Sequence, residues 1–182
     1  MQSPPIESAA TVLVVDDTEV NRALLARRFS KDGLRVVMAC DGAEALELVR
    51  AQDFDIILLD IMMPVMDGYQ VLETLKSEET LCHIPVIMIT ALDDIESIAR
   101  CIEMGAEDYL PKPFNSTLLR ARINACLQKK HAHDLQLRYR HRIEEHNALL
   151  ELNAQRQSEE NQLVAHLMEQ MMHSPGLRGG DV

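Results

Sequence analysis

The hydrophobic pattern alternates between two periods along the first two thirds of the chain. Short apolar or β-branched runs, TVLVV (11 to 15), RVVMA (35 to 39), DIILL (55 to 59), PVIMIT (85 to 90) and EDYLP (107 to 111), read as strands. The stretches between them carry apolar residues at helical spacing. The clearest is GAEALELVRA, which begins at Gly42 and repeats its apolar positions at i, i+3 and i+4. Gly33 and Gly105 fall where helices should stop. Strands alternating with helices predict an α/β fold with a parallel sheet covered on both faces. The handedness of crossover connections leaves few topologies for it.

The remainder is patterned differently. MQSPPIESAA, residues 1 to 10, is polar and proline-containing and reads as a disordered lead-in to a domain over 11–130. From Phe114 to Ser174 there is no glycine or proline, and Leu, Glu, Gln, Arg, His and Ala dominate. That composition predicts one helix continuing out of the domain through 131–173, about 90 Å long at 1.5 Å per residue. PGLRGGDV, at the end of the segment 174–182, then reads as a flexible linker or chain end.

Composition narrows the classes. At 182 residues the chain has enough material for one ordinary core plus an extension, without staples. The four cysteines, Cys40, Cys82, Cys101 and Cys126, are scattered without a CxxC pair and read as core or surface thiols of a reducing compartment. No apolar run is long enough to span a membrane, and the start lacks the basic-then-apolar order of a secretory signal. A cytoplasmic protein with no membrane partner is therefore expected. The formal net charge of −11 and the lack of a basic recognition helix argue against nucleic acid as a partner.

Candidate chemistry gathers at the strand ends. Ligands of open α/β sheets bind at the carboxyl ends of strands near the topological switch point. There the first strand presents Asp16 and Asp17, the third Asp60, the fourth Thr90, and the fifth is followed by Lys112 between Pro111 and Pro113. One aspartate closing a strand is an ordinary helix cap or turn former. Three, with a hydroxyl and an ammonium on the same rim, call for neutralisation. A divalent cation together with Lys112 balances three carboxylates, and an all-oxygen ligand set favours Mg2+ or Mn2+ over zinc.

The segments DD (16, 17), DIMMPVMDG (60 to 68), TA (90, 91) and YLPKPF (109 to 114), in this order and spacing, resemble the receiver domain of bacterial two-component response regulators over residue 11 to about 130. The resemblance implies a doubly wound, flavodoxin-like five-stranded parallel sheet of order 2-1-3-4-5. It implies that Asp60 accepts a phosphoryl group from a histidine kinase or a histidine phosphotransfer protein. Asp17 and Asp60 would ligate Mg2+ directly, Asp16 largely through water, and Met62 through its main-chain carbonyl. Lys112, the Thr90 hydroxyl and the Ala91 N–H would hold the phosphoryl oxygens. The Lys112–Pro113 bond would be cis. Thr90 and Tyr109 would form the switch pair that rearranges the surface of the fourth helix, fifth strand and fifth helix. Two positions that often carry polar groups in the family, those of Met62 and Leu92, hold apolar side chains here that cannot orient an attacking water. Slow self-dephosphorylation follows as an expectation.

Heptads over the tail give two seams that share Ala132, Tyr139, His146, Asn153, Glu160 and Leu167. One adds Ile143, Leu150, Val164 and Met171; the other adds Leu135, Leu149 and Leu163. A helix this long has no core of its own, so self-association is expected, with a parallel homodimeric coiled coil preferred. Six of the seven histidines lie in the tail, but no two are four apart, so a helical metal pair is missing. Three outputs stay open: a phosphorylation-activated regulator signalling through the dimeric helix, without enzymatic activity of its own beyond its phosphotransfer; the regulatory front of a longer enzyme, a PP2C-type serine phosphatase or a diguanylate cyclase, with the phosphatase preferred; or a stand-alone scaffold.

Overall fold

The computed structural model describes residues 10–91, 95–113 and 115–173, with the side chain of His173 set aside. The expected lead-in before residue 10, Leu92, Phe114 and the segment 174–182 lie outside the described residues. Five strands, β1 (Thr11–Val15), β2 (Arg35–Ala39), β3 (Ile56–Asp60), β4 (Val86–Thr90) and β5 (Asp108–Pro111), alternate with helices α1 (Glu19–Lys31), α2 (Gly42–Ala51), α3 (Gly68–Ser77), α4 (Ile95–Glu103) and α5 (Ser116–His173). Three strands start one residue later than the apolar runs suggest. Asp55, for instance, turns its carboxylate back to accept from the Thr11 N–H at 2.8 Å, and the β1 ladder pairs Val12 with Ile56. All four strand pairings are parallel, in the order β2-β1-β3-β4-β5.

Alternation along the strands sorts the side chains into two cores. Leu13, Val15, Ile57, Leu59 and Met88 face α2 and α3, where they meet Leu46, Val49, Leu72 and Leu75. Val12, Val14, Ile56, Leu58, Ile87 and Leu110 face Leu25 and Phe29 of α1 and Leu119, Ile123 and Cys126 of α5. Each fully buried Leu, Ile or Phe contributes about 1.5–3 kcal/mol through burial. The central strands β1, β3 and β4 are buried on both faces, which explains why their sequences are continuous apolar runs. β2 lies at an edge and leaves Arg35 and Met38 exposed.

Helix boundaries follow from local chemistry. Asp67 and Gln70 form a reciprocal capping box at the start of α3, and Asp41 accepts from the Glu44 N–H at the start of α2. Gly33 (φ 81°) and Gly105 (φ 93°) take the left-handed conformation that ends α1 and α4. There Leu34 N–H returns to Phe29 O and Ala106 N–H to Cys101 O, both at 3.0 Å.

The chain divides into two compact units, Met1–Ala132 and His133–Val182. In the first, the start of α5 buries Leu119, Ile123 and Cys126, and Lys130 pairs with Asp55 at 3.2 Å. The described residues of the second are helical. Their apolar side chains, among them Leu135, Ile143, Leu149, Leu150, Val164 and Leu167, are exposed. No helix among the described residues is long and apolar enough to cross a membrane.

Candidate functional site

Two β-strands side by side carry the carboxylates. β1 ends at Val15 and delivers Asp16 and Asp17; the neighbouring β3 ends on Asp60 itself. Oxygens of Asp16, Asp17 and Asp60 lie within 4.8 Å of one another. Asp16 and Asp60 are 1% and 3% exposed, so two carboxylates sit side by side with almost no water. Lys112, the residue after β5, reaches across the sheet end and donates to Asp16 Oδ2 at 2.9 Å and Asp60 Oδ2 at 2.6 Å. The Lys112–Pro113 bond is cis. The Lys112 backbone N–H donates to Thr90 O at 2.6 Å. Thr90 closes β4, 1% exposed, and Ala91 follows it on the exposed rim.

The two buried carboxylates differ in their partners. Burial alone would raise Asp16, but Lys112, the Thr18 N–H and the Asn21 amide hold it below the ordinary carboxylate value. For Asp60 burial dominates. Lys112 and the Met62 N–H oppose it, while the Asp16 charge adds to it, and its carboxyl is pushed up. Lys112 loses some stability as a cation through burial, but Asp60 and Asp16 more than offset that and raise it.

Met62 is largely exposed at its side chain, but its N–H donates to Asp60 Oδ1 at 3.2 Å, so its main chain borders the carboxylate. Tyr109 sits in β5, half-buried against the α2–α3 core, with the Arg122 guanidinium 5.8 Å from its ring centre. The structure thus brings Asp16, Asp17, Asp60, Met62 and Lys112 together, with Thr90 and Ala91 on the adjoining strand end. Tyr109 lies one strand over.

Several supporting residues escaped the sequence reading. Asn21 donates to both Asp16 oxygens at 3.1 Å, and Arg22 Nη1 donates to the carbonyls of Asp16 at 2.7 Å and Asp17 at 3.0 Å. Their signal was their place five and six residues past Asp16, in the first turn of the helix that follows. Gly68 is a second case. A Cβ there would stand 2.3 Å from Asp60 O and 2.7 Å from Ile61 Cα, so only glycine lets α3 start this close to the acceptor strand. The third is Val65, at φ 69° between Pro64 O and the Met66 N–H that bonds to it at 2.8 Å. A β-branched residue in this tight left-handed turn is strained by about 1–2 kcal/mol. Its side chain is fully exposed and gains nothing by burial. Val65→Asn is therefore expected to raise stability by about 1 kcal/mol, read as a higher denaturation midpoint at unchanged slope.

The donor set suits a hard divalent cation. Three carboxylates supply only oxygen, Asp17 is exposed for exchange with solvent, and Lys112 leaves part of the negative charge uncompensated. Such a pocket lies at the carboxyl ends of the central strands, where doubly wound sheets hold their ligands, and its charged lining could hold a metal ion and does not suit an apolar ligand.

Residues 12–124 match the response regulator receiver domain, and the chain belongs to that family. It is similar to the probable transcriptional regulator ycf27 of Guillardia theta, 42% identical over 124 residues, which cover 68% of this chain and 48% of that protein. A cyclic di-GMP phosphodiesterase of Thermotoga maritima is 33% identical over 145 residues, 80% of this chain and 38% of that one. Among solved structures, the receiver domain of the Francisella response regulator 1452 superposes with a TM-score of 0.63 at 34% identity, covering 66% of this chain and 98% of that one. The matched segments span less than half the length of both curated relatives.

Proposed function

We propose that the domain is a phosphoacceptor switch in which Asp60 takes a phosphoryl group from a histidine kinase or histidine phosphotransfer protein. The observation that carries this reading is the pairing of Asp60 and Asp16 through one ammonium, Lys112, beside a third carboxylate, Asp17. An Asp60 oxygen attacks phosphorus, the donor P–N bond breaks, and its electron pair stays on the donor imidazole. Lys112 holds Asp60 ionised against burial and then pairs with the incoming oxygens. The Thr90 hydroxyl and the Ala91 N–H donate to them as well. Asp16, Asp17, Asp60 and the Met62 carbonyl would hold Mg2+, which when bound supplies charge neutralisation for the phosphoryl oxygens. Replacing one negative charge on Asp60 by about two, with three new acceptor oxygens, draws Thr90 inward and lets Tyr109 repack. The test is intact-mass and peptide mass spectrometry after acetyl phosphate with Mg2+. One added phosphoryl group on Asp60 is expected, and an unmodified Asp60 at saturating donor refutes the reading.

Met62, with its exposed thioether two residues past Asp60, offers no group to activate water. The aspartyl phosphate of the isolated protein is accordingly expected to decay over minutes to hours, followed by loss of label with Mg2+ present. A lifetime of a few seconds would contradict this.

Output passes through α5. Its exposed Ile143, Leu150, Val164 and Met171 lie on one seam and its exposed Leu135, Leu149 and Leu163 on the other, with the exposed Leu167 shared by both, which supports a homodimer through the C-terminal helix. Sedimentation equilibrium is expected to give a concentration-dependent dimer, whereas a monomer at every concentration would exclude it. A second reading makes receiver and helix the regulatory segment of an enzyme. The likeness to the cyclic di-GMP phosphodiesterase covers 80% of the chain, more than residues 1–132 can supply, so it continues into the helix. Cyclic-dinucleotide turnover is therefore the favoured enzymatic output over a serine phosphatase.

A further inference from the structure

α4 is the least anchored helix of the receiver. Among its described residues only Cys101 is buried, while Ile95 and Ile102 on its outer side are exposed. Its inner side packs Cys101 into the core beside β5 and meets Tyr69, the second residue of α3. The Arg100 guanidinium lies 4.2 Å from the centre of the Tyr69 ring. The Tyr69 hydroxyl lies beside Ser97 and Cys101, so with Arg100 over its ring the side chain faces three positions on one side of α4. Tyr69 itself is only 8% exposed.

At its other end Tyr69 is fixed to the acceptor. The preceding Gly68 donates its N–H to Ile61 O at 2.9 Å and leaves no space for even a methyl group against Asp60 O. Asp67 and Gln70 close the capping box around Gly68, so the first turn of α3 moves as a unit with the backbone of Asp60 and Ile61. A short covalent and packed path thus runs from the acceptor backbone through Gly68 and Tyr69 to Arg100. It uses neither Thr90 nor Tyr109.

We propose that Tyr69 and Arg100 form a latch that passes the position of the acceptor loop to α4 and favours the arrangement in which Lys112 bridges Asp16 and Asp60. Both are positioning residues, and the proposal rests on the phosphoacceptor reading above. Linkage gives it a sign: a contact made better in the unmodified arrangement opposes occupancy of the acceptor, and its removal must strengthen binding of a phosphoryl mimic. A contact equally good in both arrangements would change stability alone.

The experiment compares beryllofluoride affinity in the presence of Mg2+ for wild type, Arg100→Ala and Arg100→Lys, together with hydrogen exchange of the α4 amides. Arg100 is exposed, so its truncation leaves the folded core in place. Arg100→Ala is expected to bind the mimic about fivefold more tightly. Arg100→Lys, which keeps the charge but stacks less well, should fall between. Exchange over Ile95–Glu103 in unliganded Arg100→Ala is expected to approach that of liganded wild type. An affinity that is unchanged or weaker, with or without a lower melting temperature, overturns the latch. Wild type that binds no beryllofluoride overturns the phosphoacceptor reading, and the latch falls with it.

Discussion

Asp60→Asn is expected to abolish covalent phosphoryl uptake while leaving the protein folded. The amide has the same shape as the carboxylate but no anionic oxygen to attack phosphorus. The fold tolerates it because the substitution removes a buried negative charge that already faces Asp16. Burial pushes the Asp60 carboxyl up, so ionisation at neutral pH opposes folding, and the neutral amide escapes that penalty. Against this, Lys112 keeps one carboxylate, Asp16 at 2.9 Å, instead of two. The terms oppose each other, and a net stability change within about 1 kcal/mol is expected. Cation binding should weaken at the same time, since one of three clustered carboxylates is lost. Acetyl phosphate with Mg2+, followed by intact mass, separates the possibilities. If Asp60→Asn gains a phosphoryl group to the same extent as wild type, the acceptor is another residue, with the exposed Asp17 the first alternative.

The strand ends were legible because burial on both faces makes β1, β3 and β4 uninterrupted apolar runs, and a carboxylate closing such a run stands out. Once parallel order was inferred, the convergence of Asp16, Asp17, Asp60 and Lys112 followed from topology alone. The supporting layer was not legible in the same way. That Asn21 brings its amide nitrogen within reach of both Asp16 oxygens depends on the rotation of α1, which Leu25 and Phe29 fix by packing under the sheet. Gly68 reads as a turn residue until its distance from Asp60 O is measured. Val65 carries no signal, since its φ is set by the tight turn around it and contradicts its own preference. The different protonation tendencies of Asp16 and Asp60 are likewise a matter of counting donors in space: Asp16 has Lys112, Thr18 and Asn21, while Asp60 has Lys112 and Met62. In the tail, two heptad seams compete, and burial within one chain cannot choose between them because both are exposed.

Removing the ammonium probes the same electrostatics from the other side. Lys112→Ala leaves Asp16 and Asp60 buried without a cation, and breaking such a pair in a protein interior costs about 3–5 kcal/mol. The lysine side chain is 22% exposed, so water reaches part of the vacated space and the loss here is expected nearer about 2–3 kcal/mol in the absence of divalent cations. Asp60 must carry most of it, because Asp16 keeps the Thr18 N–H and the Asn21 amide, whereas Asp60 keeps the Met62 N–H and is the more deeply desolvated of the two. The pH dependence then has a definite sign. Without Lys112 the folded Asp60 carboxyl rises further above its ordinary value of 3.8, so the folded state holds its proton where the unfolded chain has released it. The resulting penalty is absent below that ordinary value and grows as pH rises from it toward the elevated folded value. Denaturant titrations of wild type and variant should therefore converge in acid and diverge toward neutral pH. Mg2+ should close part of the neutral-pH gap, since a cation that binds only the folded carboxylates stabilises by mass action. Phosphoryl uptake by the variant should stay slow, by about a hundredfold or more, even with Mg2+ saturating, because the ammonium that meets the transferred oxygens is gone. A stability gap that is constant with pH would mean that Lys112 acts through packing of its alkyl chain and not through its charge.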